Sequence, residues 1–166
     1  MVNLDVRILR LEPMRVASSY GFGASPEIIA HQKMTAFLEA KNMLQDYGGD
    51  YEHGLGKGRP RHIHFGFNNP NPSAESPSYG YEVWVTVELQ VEPLGDVRII
   101  DFMGGLYAVT RFENIERIGQ VWQELWNWRD HSQFKPAHHQ YLENLINPLE
   151  TDMSEFVFDL YLPIAE

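Results

Sequence analysis

The chain has 166 residues, the length of one domain, with 43% hydrophobic and 22% charged residues, an ordinary globular balance. It contains no cysteine, which excludes disulfides, iron–sulfur clusters, thiolate zinc sites and a cysteine nucleophile. A formal net charge of -10 repels phosphate backbones, and it favours cationic ligands wherever it is focused in a cleft.

No apolar run approaches the ~20 residues that span a bilayer. Met1-Val2-Asn3-Leu4-Asp5 has neither a basic nor an apolar leader segment, so a cytoplasmic setting is expected. Residues 4–20 read as a first strand region, extended through Val6 and Ile8 and continuing past Pro13 into Met14-Arg15-Val16-Ala17. Ser25-Pro26-Glu27 predicts a helix start, with a hydroxyl cap, a proline in the first turn and an acid at the positive end. That helix is expected to run to about Leu44. The glycines from Gly48 to Gly58 predict a loop. Residues 62–67 then read as a strand, and 68–78 as a turn-rich connection.

Tyr81 to Leu89 alternates most clearly. Tyr81, Val83, Val85 and Val87 point one way; Glu82, Trp84, Thr86 and Glu88 point the other. After Pro93-Leu94-Gly95-Asp96 the pattern restarts, Val97-Arg98-Ile99-Ile100 echoing Val6-Arg7-Ile8-Leu9. A second helix follows Asn114, with Ile115, Ile118, Trp122 and Leu125 on its stripe. A His/Pro loop, a short helical or extended piece over Tyr141 to Ile146, and a final strand from Phe156 to Ile164 complete the chain. Each half reads strand–helix–strand–strand, repeat 1 over about 4–92 and repeat 2 over about 95–164 of a single 1–166 domain. Two such halves, each burying one sheet face under its helix, leave a groove where they meet.

Glu82 beside Trp84 suits a cationic aromatic ligand: the carboxylate neutralises charge and the ring stacks. A solvated strand face is the plainer reading for the acid. Tyr161 is the counterpart of Trp84 on the last strand. Glu143 is an aromatic-flanked acid in Gln140-Tyr141-Leu142-Glu143, or else a surface helix glutamate. Tyr20, Phe22, Phe67 and Tyr107 suit either core or pocket wall. Histidines raise the question of a metal: His62 and His64 share a strand face, and His139 and Glu143 would share a helix face. No third ligand is specified and there is no HExxH motif, so no metal and no cofactor are expected. Gly54-Leu55-Gly56-Lys57-Gly58 lacks P-loop spacing, and no Gly-x-Ser-x-Gly elbow exists.

Phe65-Gly66-Phe67-Asn68-Asn69-Pro70-Asn71-Pro72-Ser73 followed by Tyr79-Gly80-Tyr81-Glu82-Val83-Trp84-Val85-Thr86-Val87 resembles the GyrI-like effector-binding family. So do Gly105-Leu106-Tyr107-Ala108-Val109, the Trp122 to Trp128 helix end, Gln140-Tyr141-Leu142-Glu143 and Phe158-Asp159-Leu160-Tyr161-Leu162-Pro163-Ile164. The resemblance spans about residues 4–164. It implies an α+β fold of duplicated βαββ units with pseudo-two-fold symmetry, antiparallel sheets and a ligand groove between the halves. It also implies the ligand-sensing role found in AraC-type and MerR-type (BmrR-like) regulators, which accept hydrophobic, often cationic, drug-like molecules. On the resemblance Glu143 takes the place of the buried acid, and Tyr161 that of an aromatic wall.

The expected function is a stand-alone effector-binding module for hydrophobic, cationic small molecules. Glu143 is its principal charge partner and Glu82 a second, with Trp84, Tyr107, Tyr141, Tyr161, Tyr20 and Phe22 as walls. The chain leaves no room for a helix-turn-helix, so direct nucleic-acid binding is not expected, and regulation would work through a protein partner. The alternatives are a small-molecule hydrolase using Glu143 as general base, and a protein-binding inhibitor or adaptor.

Overall fold

The computed structural model describes residues 4–54 and 61–166. The chain runs β1 (Arg7–Leu11), β2 (Met14–Gly23), α1 (Pro26–Ala40), α2 (Tyr51–Gly54), β3 (His64–Asn68), β4 (Tyr79–Thr86), β5 (Arg98–Phe102), β6 (Gly105–Glu113), α3 (Ile118–Asp130), β7 (Lys135–Pro136), β8 (Leu142–Leu145) and β9 (Val157–Ala165). Single 3₁₀ turns occur at Leu44–Asp46, Ile115–Arg117 and Met153–Glu155.

The expected first strand is two strands, because Pro13 has no N–H to continue a ladder and the chain turns there. β1 leaves to pair with β6, while β2 pairs with β4 and β5. The β5–β6 corner turns at Gly104, whose φ of +78° favours glycine. A Cβ at Gly104 would lie 2.0 Å from the Leu11 carbonyl oxygen, so the two corners pack against each other. The strand order is β1-β6-β9-β8-β3-β4-β2-β5, with β7 added on β9. Exchanging β1 with β5, β2 with β6, β3 with β8 and β4 with β9 reverses this order onto itself. The first strand of each half thus joins the other half's strands, and the halves meet where β3 pairs with β8.

Directly opposed residues share a face in an antiparallel ladder, so the register places both long helices on one face. The row Phe158–Leu145–His64–Val85–Ala17 runs under α3 at one end and under α1 at the other. Under α1, Ala30, Met34, Phe37 and Leu38 pack on Ala17, Val83 and Val85. Under α3, Val121 and Leu125 pack on Ala108, Phe112, Leu160 and Leu162. The opposite face carries a third cluster with residues from both ends of the strand order, Leu11 of β1 and Phe102 of β5 among them. The sheet therefore curls, and its far face is as dry as its helix face.

The structure differs from the sequence reading in several elements, and the curl accounts for the first. β4 ends at Thr86, not Leu89, and its Glu82–Trp84–Thr86 side is buried rather than solvated. α1 ends at Ala40, followed by Asn42 at φ 58°, and Ser25 makes no side-chain cap bond. The second helix does begin behind Asn114, whose side chain accepts from the Glu116 N–H at 3.1 Å. The 141–146 piece is extended, so His139 and Glu143 share no helix face; His139 Nε2 lies 2.8 Å from the Leu106 carbonyl oxygen. Within the expected glycine-rich loop Tyr51–Gly54 forms the short α2, and residues 55–60 lie outside the described residues.

Asp159, wholly buried on β9, ties three strands together. Arg111 of β6 donates to both its carboxylate oxygens, at 2.8 and 2.9 Å, and Arg7 of β1 donates at 3.1 Å. Removing one partner of a buried pair strands the others without compensation. Asp159→Asn is expected to cost about 3 kcal/mol in urea unfolding, the low end for buried pairs because both arginines reach solvent. An unchanged midpoint would show that these pairs contribute nothing.

Candidate functional site

Glu143 lies on β8 in register with Gly66 of β3, which is in register with Val83 of β4. All three face the helices, and Glu143 sits on the seam between the halves. A Cβ at Gly66 would meet the Tyr81 hydroxyl at 2.1 Å. The absent side chain lets the Tyr81 phenol lie across β3 and donate to Glu143 Oε1 at 2.9 Å. From the other side Trp122 of α3 points its indole N–H at Oε2, 3.5 Å away. The carboxylate is thus held by one group from each half.

Two lobes open from Glu143, and both are bounded by Asn68. The first, about 460 Å³, is walled by Trp122, Trp126, Tyr141 and Phe67. Trp122 and Trp126 stand 6.2 Å apart and Trp122 and Tyr141 5.8 Å apart, centroid to centroid. The second, about 630 Å³, runs between α1 and the 3₁₀ turns of the second half, over Ile28, Ile118, Leu145, Met153 and Phe156. Glu27 of α1 also lines it. Volumes of this order accommodate drug-sized molecules.

The electrostatics are one-sided. Among the described residues lining either lobe there is no lysine or arginine. His31 lines the second lobe, stacked 4.7 Å from His64, which hydrogen-bonds Tyr47. Burial lowers the pKa of both histidines, which keeps them neutral. Burial raises the Glu143 pKa to about 7, opposed by the hydrogen bonds from Tyr81 and Trp122 and aided by the charge on Glu27. No group of three or more His, Asp or Glu side chains is arranged to hold a metal among the described residues.

The residues singled out in the sequence divide between the two sheet faces. Glu143 and Tyr141 meet at the cleft. Glu82, Trp84, Tyr107 and Tyr161 lie on the far face. There Glu82 accepts from Ser18 at 2.7 Å, from the Trp84 indole N–H at 2.8 Å and from Asn69 at 3.2 Å, with Arg98 3.6 Å away. Trp84 packs edge-on to Phe67, 4.9 Å between centroids, and Tyr107 to Tyr161 at 5.4 Å. The Tyr107 hydroxyl donates to the Gln140 carbonyl oxygen. Tyr20 and Phe22 lie at the exposed end of β2, Tyr20 donating to the Asn69 carbonyl oxygen. Neither lines the two lobes around Glu143.

Trp122, Trp126, Tyr81 and Glu27 line the cleft but are not among the residues the sequence singles out for it. In the sequence Trp122 reads as helix stripe and Tyr81 as strand core, and both fall within motifs of the family resemblance without a site role attached. Their proximity to Glu143 depends on the β3–β8 pairing.

The family profile of Cass2, the integron-associated effector-binding proteins, matches residues 7–164. The chain belongs to that GyrI-like effector-binding family. No relative is found among curated proteins. Among solved structures, the EcmrR C-terminal domain superposes with a TM-score of 0.69 at 11% identity, covering 99% of each chain. In an EcmrR–DNA complex the chain spans only 57% of the EcmrR length, with a TM-score of 0.68 and 11% identity over 98% of this chain. A hydrolase from Listeria innocua gives 0.66 at 12% identity, covering 96% of this chain and 91% of that one. SAV2435 bound to tetraphenylphosphonium gives 0.56 at 9% identity, covering 98% and 94%. These likenesses show a shared fold.

A raised carboxyl pKa makes the ionised form unfavourable in the folded protein. Glu143 therefore contributes no penalty below its unfolded pKa, and stability falls as pH rises from about 4.5 through about 7. Glu143→Gln is expected to unfold later than the parent above pH 7, by on the order of 2 kcal/mol, with the difference vanishing near pH 4. Parallel stability curves for parent and variant across that range would refute the shift.

Proposed function

We propose that this protein is an effector-sensing module for hydrophobic, cationic small molecules, with Glu143 as the charge partner. The observation that carries this reading is the Glu143 carboxylate in a ring-lined cleft whose described lining holds no basic side chain. Trp122, Trp126 and Tyr141 would offer π-faces to the cation, each such contact contributing about 0.5–2 kcal/mol when desolvated. Tyr81 and Trp122 hold the carboxylate in place, and an incoming cation offsets its desolvation. Tetraphenylphosphonium bound to a protein of the same fold supports the ligand class. Membership of an effector-binding family supports sensing rather than storage. Coupling to transcription through a protein partner, in a cytoplasmic setting, belongs to the same proposal. Among the described residues no helix is long and apolar enough to cross a membrane.

A hydrolytic reading rests on one observation. A carboxylate with a pKa of about 7 is matched to general-base work near neutrality, and a protein of this fold from Listeria innocua is described as a hydrolase. Turnover of an electrophilic substrate, lost in Glu143→Gln, would favour it.

Tetraphenylphosphonium is expected to bind about tenfold more tightly at pH 8 than at pH 6, because Glu143 ionises between them. Glu143→Gln is expected to bind at least tenfold more weakly at pH 8 and to show no pH dependence. Calorimetric titration checks both. Equal affinity of parent and variant would remove Glu143 from the site.

A further inference from the structure

Building on that reading, we infer that the cleft is a two-lobed site for dications, with Glu27 as a second cation receptor in the aliphatic lobe. The ligand class is an aromatic cation joined by a short flexible arm to a second, aliphatic ammonium.

The two lobes differ in chemistry and share Glu143. The indole lobe suits flat or propeller-shaped aromatic cations. The second lobe offers Ile118, Leu145, Met153 and Phe156, which suit an alkyl arm, and ends against α1, where Glu27 stands. Glu27 has no lysine or arginine within salt-bridge distance among the described residues. Among the described residues its hydrogen-bond donor is the Tyr79 hydroxyl, at 2.5 Å. Glu150 also lines this lobe, but it accepts from the Thr151 and Asp152 backbone N–H groups and is committed to its own turn.

The placement of Glu27 mirrors that of Glu143. Tyr81 donates to Glu143 and Tyr79 to Glu27. Tyr79 and Tyr81 are alternate residues of β4, so they project to the same side from Cα atoms about 7 Å apart. Two tyrosines on one strand thus present two carboxylates to one cleft. Glu27 also lies in the first turn of α1, where the helix field favours its charge. The two acids oppose one another: the Glu27 charge adds to the raised pKa of Glu143. A monocation in the indole lobe relieves half of this. A dication neutralises both, and the connecting arm makes the second contact intramolecular.

The test compares three probes by calorimetry at pH 8. They are tetraphenylphosphonium, a triphenylphosphonium carrying a trimethylammonium group on a short alkyl arm, and its isostere with a neutral tert-butyl group in place of the ammonium. The parent is expected to bind the dication at least tenfold more tightly than the isostere, and Glu27→Gln to reduce that ratio to about one. Gln keeps an acceptor for Tyr79, and thermal unfolding of the variant reports whether it folds. Equal binding of dication and isostere by the parent, with tetraphenylphosphonium still bound, overturns this inference alone. A ratio that survives in Glu27→Gln overturns the role of Glu27. Failure of all three probes to bind the parent overturns the cation reading itself and this inference with it.

Discussion

A carboxylate that no counter-ion meets among the described residues, held at the junction of two half-domains, is the constraint from which the rest of this structure follows. Glu143 is stripped of most of its water and given two neutral donors, the Tyr81 hydroxyl and the Trp122 indole N–H, instead of a cation. Hydrogen bonds from neutral groups lower the cost of a buried charge but do not cancel it, and the pKa of about 7 expresses the remainder. The protein holds its carboxyl on the edge of ionisation at neutral pH. Contrast Asp159, more deeply buried but met by two arginines, where charge serves to join strands. One acid has its counter-ions built in, and the other leaves that place open.

The fold delivers this arrangement through its topology. Because β3 pairs with β8, the sheet is continuous and the meeting of the halves is an internal joint rather than an interface between separate bodies, while β1 and β5 cross between halves at its two edges. Both helices lie on the same face and flank that joint. Gly66 then decides the local detail, since any side chain there would occupy the path of the Tyr81 ring. A substitution at Gly66 would part the Tyr81 hydroxyl from Glu143 without touching either residue.

Much of this was legible in the sequence, and the reasons for the rest are physical. The alternation of 81–86, the helix start at Pro26, the restart at Val97 and the aromatic-flanked Glu143 are local signals, and local signals survive folding. Which face of β4 lines the cleft is not local. Glu82 beside Trp84 reads as a pocket pair when each half is taken to bury only one sheet face. The curl of the sheet buries the second face in a core of its own, where Ser18, Asn69 and the Trp84 indole satisfy Glu82. Trp122 and Glu27 escaped notice for the complementary reason. Each is ordinary on its own helix, an apolar stripe residue and a first-turn acid, and each becomes part of the cleft only once β3 pairs with both β4 and β8. Pro13 marks the split of residues 4–20 in the sequence, but nothing local says that β1 leaves for β6.

The most direct test of the account follows the Glu143 carboxyl carbon by NMR during a pH titration of isotopically labelled protein, with and without tetraphenylphosphonium. The account predicts a titration near pH 7 in the free protein and a displacement to lower pH when the cation is bound, because the ligand supplies the missing positive charge. A carboxyl that titrates near 4.5 and ignores the ligand would contradict it.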